Sequence, residues 1–168
     1  MSRNTLFPTD IERTAWISPC DRYRHALGRH WDRGLGYVLF IGLNPSTADA
    51  ERDDPTIRRC IGFARAWGYG GIEMGNLFDW RTSNPKKLPR SGFAVSEYNH
   101  PCLRIRVDEA RLVIACWGAV RWAQWRIDQV FRDLFSEEKR WYCLGMTKED
   151  YPRHPLYLPK NRQPLLFW

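Results

Sequence analysis

Two short stretches of this chain join glycine to a side-chain amide, a combination suited to holding a polar ligand. Residues 42–46 read Gly-Leu-Asn-Pro-Ser, and residues 75–81 read Gly-Asn-Leu-Phe-Asp-Trp-Arg. Gly42 allows a ligand to approach the backbone closely, and the Asn44 amide can both donate and accept hydrogen bonds. Asn76 offers a second amide of the same kind. These two stretches are therefore the first candidates for a binding site.

Each stretch directly follows a run of residues that suits a buried strand. Residues 37–42 are continuously apolar or glycine, without the polar alternation of a half-exposed strand, and residues 72–76, Ile-Glu-Met-Gly-Asn, suit a second buried strand. Open α/β sheets bind ligands at the carboxyl ends of their parallel strands. We therefore expect Asn44 and Asn76 to meet at one end of a sheet.

The remaining elements give this sheet its partners. Apolar runs predict strands at 37–42, 72–76, 112–117 and 140–144, and helical periodicity predicts helices at about 55–67, 96–109 and 119–135. Alternation of strands with helices predicts an α/β fold, here a three-layer α/β/α sandwich around a central, mostly parallel four-stranded sheet with right-handed crossovers. Residues 13–30 predict an N-terminal β-hairpin that covers a sheet edge. In the third helix, we expect Arg121, Arg126 and Arg132 to be exposed.

Composition limits the classes of protein to which the chain can belong. Its 168 residues suit one domain. No apolar run is long enough to span a membrane and the N-terminus lacks a signal-peptide core, so we expect a cytoplasmic protein. The five cysteines form no Cys-x-x-Cys pair and no histidine stands at metal spacing, which predicts free thiols, no metal and no cofactor. We expect a monomer.

The charge and the aromatic content point to nucleic acid. Lys and Arg number 26 against 19 Asp and Glu, which gives a formal charge of +7 and favours a polyanionic partner. Aromatic residues make up 14% of the chain, enough for a surface on which bases stack as well as a core. An unusually aromatic core is an equally good explanation of that number.

The loop at 42–46 and a second loop at 153–158, Arg-His-Pro-Leu-Tyr-Leu, together resemble the uracil-DNA glycosylase superfamily. Its members carry a Gly-x-Asp/Asn-Pro motif after the first parallel strand and a His-Pro-Ser or Asn-Pro-Ser motif after the last. Gly-Leu-Asn-Pro is most similar to the Gly-Ile-Asn-Pro of the mismatch-specific thymine/uracil branch. The chain as a whole also resembles a bacterial and phage family catalogued as a domain of unknown function. The first resemblance implies a single uracil-DNA-glycosylase-like domain over residues 1–168.

The same resemblance implies roles for individual residues. Asn44 matches the position that orients the attacking water, and His154 matches the histidine that donates a hydrogen bond to the pyrimidine O2. Asn76 resembles the amide that reads the edge of a flipped base, and Phe78 is the ring on which that base stacks. The further expected contacts are Gly42, Pro45 and Ser46 with the base, and Leu156, Tyr157, Arg81, Lys148, Arg153, Lys86, Lys87 and Arg90 with DNA.

Two departures from the superfamily pattern bear on the substrate. Leu156 replaces the serine that usually follows His-Pro, so a phosphate contact is missing or comes from elsewhere. Ser46 stands where the uracil-specific branch has an aromatic residue that blocks larger bases, so the pocket has room for a bulkier base.

The chemistry implied is hydrolysis of an N-glycosidic bond. Negative charge develops on the leaving base and positive charge on the sugar, so the enzyme needs a positioned water and a donor to the base oxygen. An amide is a poor general base. If a base is required, Asp49, Asp53 or Asp54 follow Asn44 closely in the sequence.

The leading hypothesis is therefore a monofunctional, metal-independent DNA glycosylase that removes a deaminated, mismatched or hypermodified pyrimidine flipped out of duplex or single-stranded DNA, and leaves an abasic site. A modified phage base would make it an antiviral defence enzyme. One alternative is a non-catalytic nucleic-acid-binding module on the same scaffold. Another is a hydrolase or transferase of free nucleosides or nucleotides.

Overall fold

A computed structural model of the chain describes residues 10–88 and 92–168, which form an α/β fold with a seven-stranded mixed sheet. The strands are β1 Glu12–Ile17, β2 Arg24–His30, β3 Val38–Gly42, β4 Gly71–Asn76, β5 Leu112–Ala115, β6 Trp141–Cys143 and β7 Leu165–Leu166. The α-helices in these residues are α1 Pro55–Ala66, α2 Asn99–Glu109 and α3 Gln124–Leu134. In the part of the chain described, no helix has the length and apolarity needed to cross a membrane.

The prediction of a four-stranded sheet is wrong in its strand count. Strands β4, β3, β5 and β6 are parallel neighbours and match the four buried runs seen in the sequence. The expected hairpin, β1 with β2, is confirmed, but it extends the sheet because β2 pairs antiparallel with β4. At the other edge, the two residues of β7 pair with β6. Edge pairing of this kind depends on backbone hydrogen bonds that leave no pattern in the side chains.

Side chains of the central strands alternate between two hydrophobic cores on opposite faces of the sheet. Leu39 and Ile41 pack in one core with buried residues of α2 and α3. Val38 and Phe40 pack in the other core with buried residues of α1. A strand buried in this way on both faces needs a continuous apolar run, which is why β3 was recognisable in the sequence.

Helix α1 begins as its sequence predicts. Asp54 lies at the N-cap, and its side chain accepts a hydrogen bond from the backbone amide of Ile57 at 2.9 Å. Pro55 occupies the first turn, where its missing N–H costs nothing. The helix therefore starts at a fixed point after the 42–46 loop and places Asp54 beside the carboxyl ends of the strands.

The expectation that Arg126 is exposed is wrong. Its side chain is fully buried, and Nε donates to the carbonyl oxygen of Leu77 at 2.8 Å. Nη2 donates to Oδ1 of Asn99. Position 126 lies three residues after Ala123 and four before Val130, so it shares their inner face of α3. The helix was predicted correctly at this position, but the charge of the side chain led to the wrong prediction that it is exposed.

Strand β2 carries charged residues in a fully buried setting. All seven of its residues are buried, including Arg29 and His30. Nε of Arg29 pairs with Oδ1 of Asp53 at 2.8 Å, and Nε2 of His30 lies 2.7 Å from Oε1 of Glu73. Burial of these side chains is possible because each has an acidic partner.

Candidate functional site

A cleft of about 550 Å³ opens at the carboxyl ends of β3 and β4. It contains both Asn44, from the loop after β3, and His154, from the far end of the chain. The other residues that line it are Arg24, Gly42, Leu43, Ser46, Asp54, Thr56, Ile57, Met74, Asn76, Thr82, Ser83, Pro85, Trp117, Ala119, Val120, Leu156 and Tyr157. The structure thus brings the two loops of the expected site into one recess.

The orientation of the Asn44 amide is set by two backbone carbonyls. Nδ2 donates to the carbonyl oxygen of Pro45 at 2.9 Å and to that of Thr82 at 2.9 Å. Because both hydrogens of the amide are used, Oδ1 is the remaining polar atom, and it has no hydrogen-bond donor among the residues described. Asn44 therefore offers the cleft an acceptor, the atom that can hold a water molecule.

His154 offers the opposite polarity. It caps the short 3₁₀-helix Pro155–Tyr157, and Nδ1 accepts a hydrogen bond from the backbone amide of Leu156 at 3.3 Å. An imidazole that accepts at Nδ1 carries its proton on Nε2 when neutral. Although the residue is solvent-accessible, the surrounding protein partly desolvates the ring and lowers its pKa, and the nearby Asp54 carboxylate only partly opposes this shift. His154 is thus a neutral donor at neutral pH.

The lowered pKa of His154 predicts a pH dependence of stability. A histidine whose folded-state pKa lies below its unfolded value binds fewer protons when folded, so its contribution is full above about pH 6.5 and is lost as the pH falls through the folded pKa. We expect His154→Gln to lose less stability than the wild type on acidification below about pH 6.5. Urea unfolding of both proteins at several pH values measures the difference. Equal slopes against pH would show that the ring is not desolvated.

Arg24 forms part of the wall of the cleft and orients Asn76. The Arg24 side chain is buried, its Nη1 donates to the carbonyl oxygen of Ala48 at 3.0 Å, and its Nη2 donates to Oδ1 of Asn76 at 3.3 Å. Nδ2 of Asn76 lies close to Gly42: a Cβ atom added to Gly42 would be 3.1 Å from this nitrogen. Burial lowers the pKa of Arg24 to about 10, so the group stays charged at neutral pH. Sequence reasoning missed Arg24 because an arginine in a hairpin carries no signal of burial.

Asp54, rather than Asp49 or Asp53, is the carboxylate of the cleft. Asp49 lies outside the lining residues, and its Oδ1 accepts two hydrogen bonds at 2.8 Å from amides of the following turn, which lower its pKa. Asp53 is held by Arg29 at 2.8 Å and by Arg13 at 3.0 Å, also outside the cleft. Asp54 uses Oδ1 as the cap of α1 and leaves Oδ2 unpaired among the described residues. Of the three acids, it is the one placed to accept a proton.

The base contacts expected from the sequence are only partly in the cleft. Gly42, Ser46 and Asn76 line it, while Pro45 is a buried residue behind it. The structure places Phe78 in the hydrophobic core, fully buried and stacked on Trp122 with ring centroids 5.3 Å apart. Its side chain points inward because the chain continues past β4 along the face covered by α3.

Trp117 lines the cleft, whereas Phe78, the ring on which the base was expected to stack, does not. It lies just after β5, it is almost fully buried, and its indole Nε1 has no hydrogen-bond partner in residues 10–88 and 92–168. A buried indole N–H without a partner is rare in a folded protein. The feature of the sequence that could have identified Trp117 is its position just after a strand, which is also the position of Phe78.

The residues expected to contact DNA fall into three groups. Leu156 and Tyr157 line the cleft, and Tyr157 is 90% exposed at its rim. Arg81 forms an ion pair with Asp21, and Nε of Arg153 donates to the carbonyl oxygen of Met146 at 3.0 Å, so both are engaged by the protein. Of the remaining expected contacts, Lys86, Lys87 and Lys148 are exposed, whereas Arg90 lies outside the described residues.

The residues described contain no cluster of three or more His, Cys, Asp or Glu side chains that would suit a metal ion. The groups that the cleft presents are an amide acceptor, an imidazole donor, a carboxylate and a buried guanidinium. Such a set can position water and stabilise charge on a leaving group.

Comparison with known proteins returns one family. Residues 24–156 match the family described as "Protein of unknown function (DUF1643)", which agrees with the second resemblance noted in the sequence. No curated protein and no solved structure matches the chain. The comparisons thus return nothing that supports the resemblance to the uracil-DNA glycosylase superfamily, which rests on the two loop motifs alone.

Proposed function

We propose that this chain, which belongs to the DUF1643 family of proteins of unknown function, is a monofunctional DNA glycosylase that hydrolyses the N-glycosidic bond of a flipped-out pyrimidine. One observation carries the proposal. The free acceptor of Asn44 and the Nε2–H donor of His154 belong to the same cleft, although the two loops lie at opposite ends of the family match. Two cores on opposite faces of the sheet support the three-layer arrangement that the alternation of strands and helices predicts.

The reaction breaks one bond and forms another. As the bond between the sugar C1′ and the base nitrogen breaks, its electron pair leaves with the base, and the Nε2–H of His154 donates to the O2 atom on which negative charge collects. A water held by Oδ1 of Asn44 adds its oxygen to C1′. The Asp54 carboxylate lies in the same cleft and takes the proton that the water loses. The base picks up a proton from solvent, and the products are a free base and an abasic sugar.

The size of the cleft favours a pyrimidine with a bulky substituent. Its volume of about 550 Å³ exceeds the needs of an unmodified pyrimidine ring, and Ser46 leaves open the side that an aromatic residue would close. Arg24 adds a buried cation that can contact a polar substituent. These features support a hypermodified base of the kind found in phage genomes, and with it a role in antiviral defence.

The surroundings of the cleft suit approach by DNA. Tyr157 stands exposed at the rim, and Leu156 lies next to it inside the cleft. Extruding a base costs a few kcal/mol, and an aromatic or apolar side chain can fill the gap left in the stack. Lys86 and Lys87 follow Pro85, which lines the cleft, so their charges can meet phosphates near its entrance.

The proposal is tested by incubating the purified protein with duplex and single-stranded DNAs that carry uracil, thymine mispairs or 5-substituted pyrimidines, and with modified phage genomes. We expect alkali-labile abasic sites with at least one of these substrates. Asn44→Ala should lower the rate of their formation about 100-fold or more, because the water loses its acceptor, while DNA affinity changes little. Asn161→Ala, an exposed asparagine outside the cleft, is the matched control and should behave as the wild type.

The rival functions predict different results. A non-catalytic binding module binds these DNAs and yields no abasic site with any of them. A hydrolase of free nucleosides turns over the small substrate and shows little response to salt, whereas binding to DNA weakens as salt rises.

A further inference from the structure

A second cavity of about 490 Å³ lies beside the hairpin, separate from the cleft. Three aromatic residues contribute to its wall: Trp16 from β1, Tyr23 from just before β2, and Tyr98 from the N-cap of α2. Trp16 is 46% exposed and Tyr98 is 49% exposed, so neither ring serves mainly as core. The proposed excision reaction makes no use of these rings.

The rings contact one another and together form one wall of the cavity. The ring centroids of Trp16 and Tyr98 lie 5.5 Å apart at 55° to one another, and the ring of His25 lies 4.8 Å from Trp16 and 5.3 Å from Tyr98. The register of the hairpin shifts between Trp16 and Ile17, and such a bulge redirects side chains. Exposed aromatic rings grouped in this way mark an interaction site rather than a scattered surface residue.

His25 places a polar atom among these rings. The residue is 5% exposed, and Nδ1 donates to Oδ2 of Asp79 at 2.7 Å. Ser96 also bonds to this carboxylate through Oγ and through its backbone amide. Nε2 of His25 has no hydrogen-bond partner among the described residues, although the ring lines the cavity. The second cavity therefore combines faces for stacking with one fixed hydrogen-bonding atom.

The position of this cavity links it to the cleft. Arg24 and His25 are consecutive residues of β2, and side chains of consecutive strand residues point to opposite faces of a sheet. Arg24 lines the cleft and His25 lines the second cavity, so the two recesses flank the same end of the sheet. Both recesses therefore border the end of the sheet at which the cleft opens.

From these features we propose that the second cavity binds an unpaired nucleobase, which flanks the excised one on the same DNA strand. A nucleobase can stack one flat face on the exposed surface of Trp16 or Tyr98 and present its hydrogen-bonding edge to Nε2 of His25. The net charge of +7 supplies the attraction for the strand that carries it. This inference rests on the proposed function, since it takes DNA as the ligand. It adds a specificity site, because the base next to the lesion would be held by the protein.

The test measures binding of a short single-stranded oligonucleotide by fluorescence anisotropy, with an abasic nucleotide placed at each position in turn. We expect one position other than the excised one to lose about tenfold in affinity when its base is absent. Trp16→Ala and Tyr98→Ala should each weaken the intact oligonucleotide by a similar factor and remove the sensitivity at that position. Trp16→Phe should keep most of the affinity. Trp125→Ala, which removes an exposed tryptophan of α3, is the control.

The outcomes separate this inference from the proposed function. The same pattern in the excision-deficient Asn44→Ala protein supports a second base pocket whatever the chemistry of the cleft. If DNA binding and excision are both unchanged in Trp16→Ala, the second base pocket is overturned and the glycosylase proposal stands. If binding depends on the pocket but the wild type excises no base, the glycosylase proposal is overturned and the pocket stands. Failure of the wild type to bind any oligonucleotide overturns both. Glu97 also lines the cavity, so tetramethylammonium is tested as a competing probe. If it binds in a Trp16-dependent way and does not change the affinity for DNA, the cavity is a cation-binding site and the base pocket is overturned.

Discussion

His154→Ala is expected to lower the rate of base excision by about 10² to 10³-fold under single-turnover conditions, with DNA affinity within a few-fold of the wild type. The reason is that the Nε2–H of His154 is the donor aimed at charge that exists in the transition state and hardly at all in the bound substrate. Removing one such donor from a preorganised site costs about 3 to 4 kcal/mol of activation free energy. Quench-flow measurement of abasic product, with saturating enzyme, gives the rate of the chemical step.

Two further variants sharpen this experiment. His154→Gln keeps an N–H donor and should recover part of the rate, whereas a residue that merely supports the loop would be equally impaired by both changes. His100→Ala removes a histidine that pairs with Asp133 at 3.6 Å on the α2–α3 side, and should leave the rate unchanged. Loss of DNA binding in His154→Ala, with an unchanged single-turnover rate, would assign this histidine to binding instead.

Arg126→Met is expected to lower the free energy of unfolding by about 2 to 4 kcal/mol. Methionine fills a similar volume but leaves the carbonyl oxygen of Leu77 and Oδ1 of Asn99 buried without their donor. Each unsatisfied acceptor costs about 1 to 3 kcal/mol, and relief from burying a charge offsets part of the sum. Urea unfolding, with an unchanged m-value, measures the effect.

The matched control lies on the same helix. Arg132→Met removes an arginine of α3 whose side chain is 73% exposed, so stability should change by less than about 0.5 kcal/mol. Arg126→Met should also slow excision, because Asn99 connects the two regions: its Nδ2 donates to the carbonyl oxygen of Asn76 at 3.1 Å. A variant as stable as the wild type would show that Met at position 126 packs well enough to make the buried network dispensable.

The central sheet and the first helix were predictable from the sequence for a common physical reason. A parallel strand buried on both faces must be apolar at every position, and a helix packed on one face must be apolar at every third or fourth. Residues 38–42 meet the first condition in full, residues 71–76 meet it apart from Glu73 and the terminal Asn76, and α1 adds the Asp54–Pro55 start signal. Because parallel strands end at one edge, the convergence of the loops that carry Asn44 and Asn76 followed from these local patterns.

The buried polar residues were not predictable, because their placement depends on partners distant in the chain. Arg126 was expected to be exposed and Arg24 was assigned no role, yet each is buried where carbonyl and amide oxygens from other elements accept its hydrogen bonds. Nothing in the sequence distinguished Asp54 from the neighbouring acids Asp49 and Asp53. Its neighbour Asp53 forms an ion pair with Arg29 of β2, and this contact exists only once the hairpin has joined the sheet.

The sequence by itself determined the α/β class, the buried central strands and the loops at which a site can form, since hydrophobic periodicity is a local property. The order of the strands in the sheet was decided by the tertiary structure. The tertiary structure alone decided which side chains reach the cleft. Phe78 lies in the core, whereas Trp117 and Asp54 line the cleft. Hydrogen bonds to nearby backbone groups occupy Nδ2 of Asn44 and Nδ1 of His154, and so determine which atom of each side chain remains free. Those choices arise because every buried donor and acceptor must find a partner, and the partners are brought together only by folding.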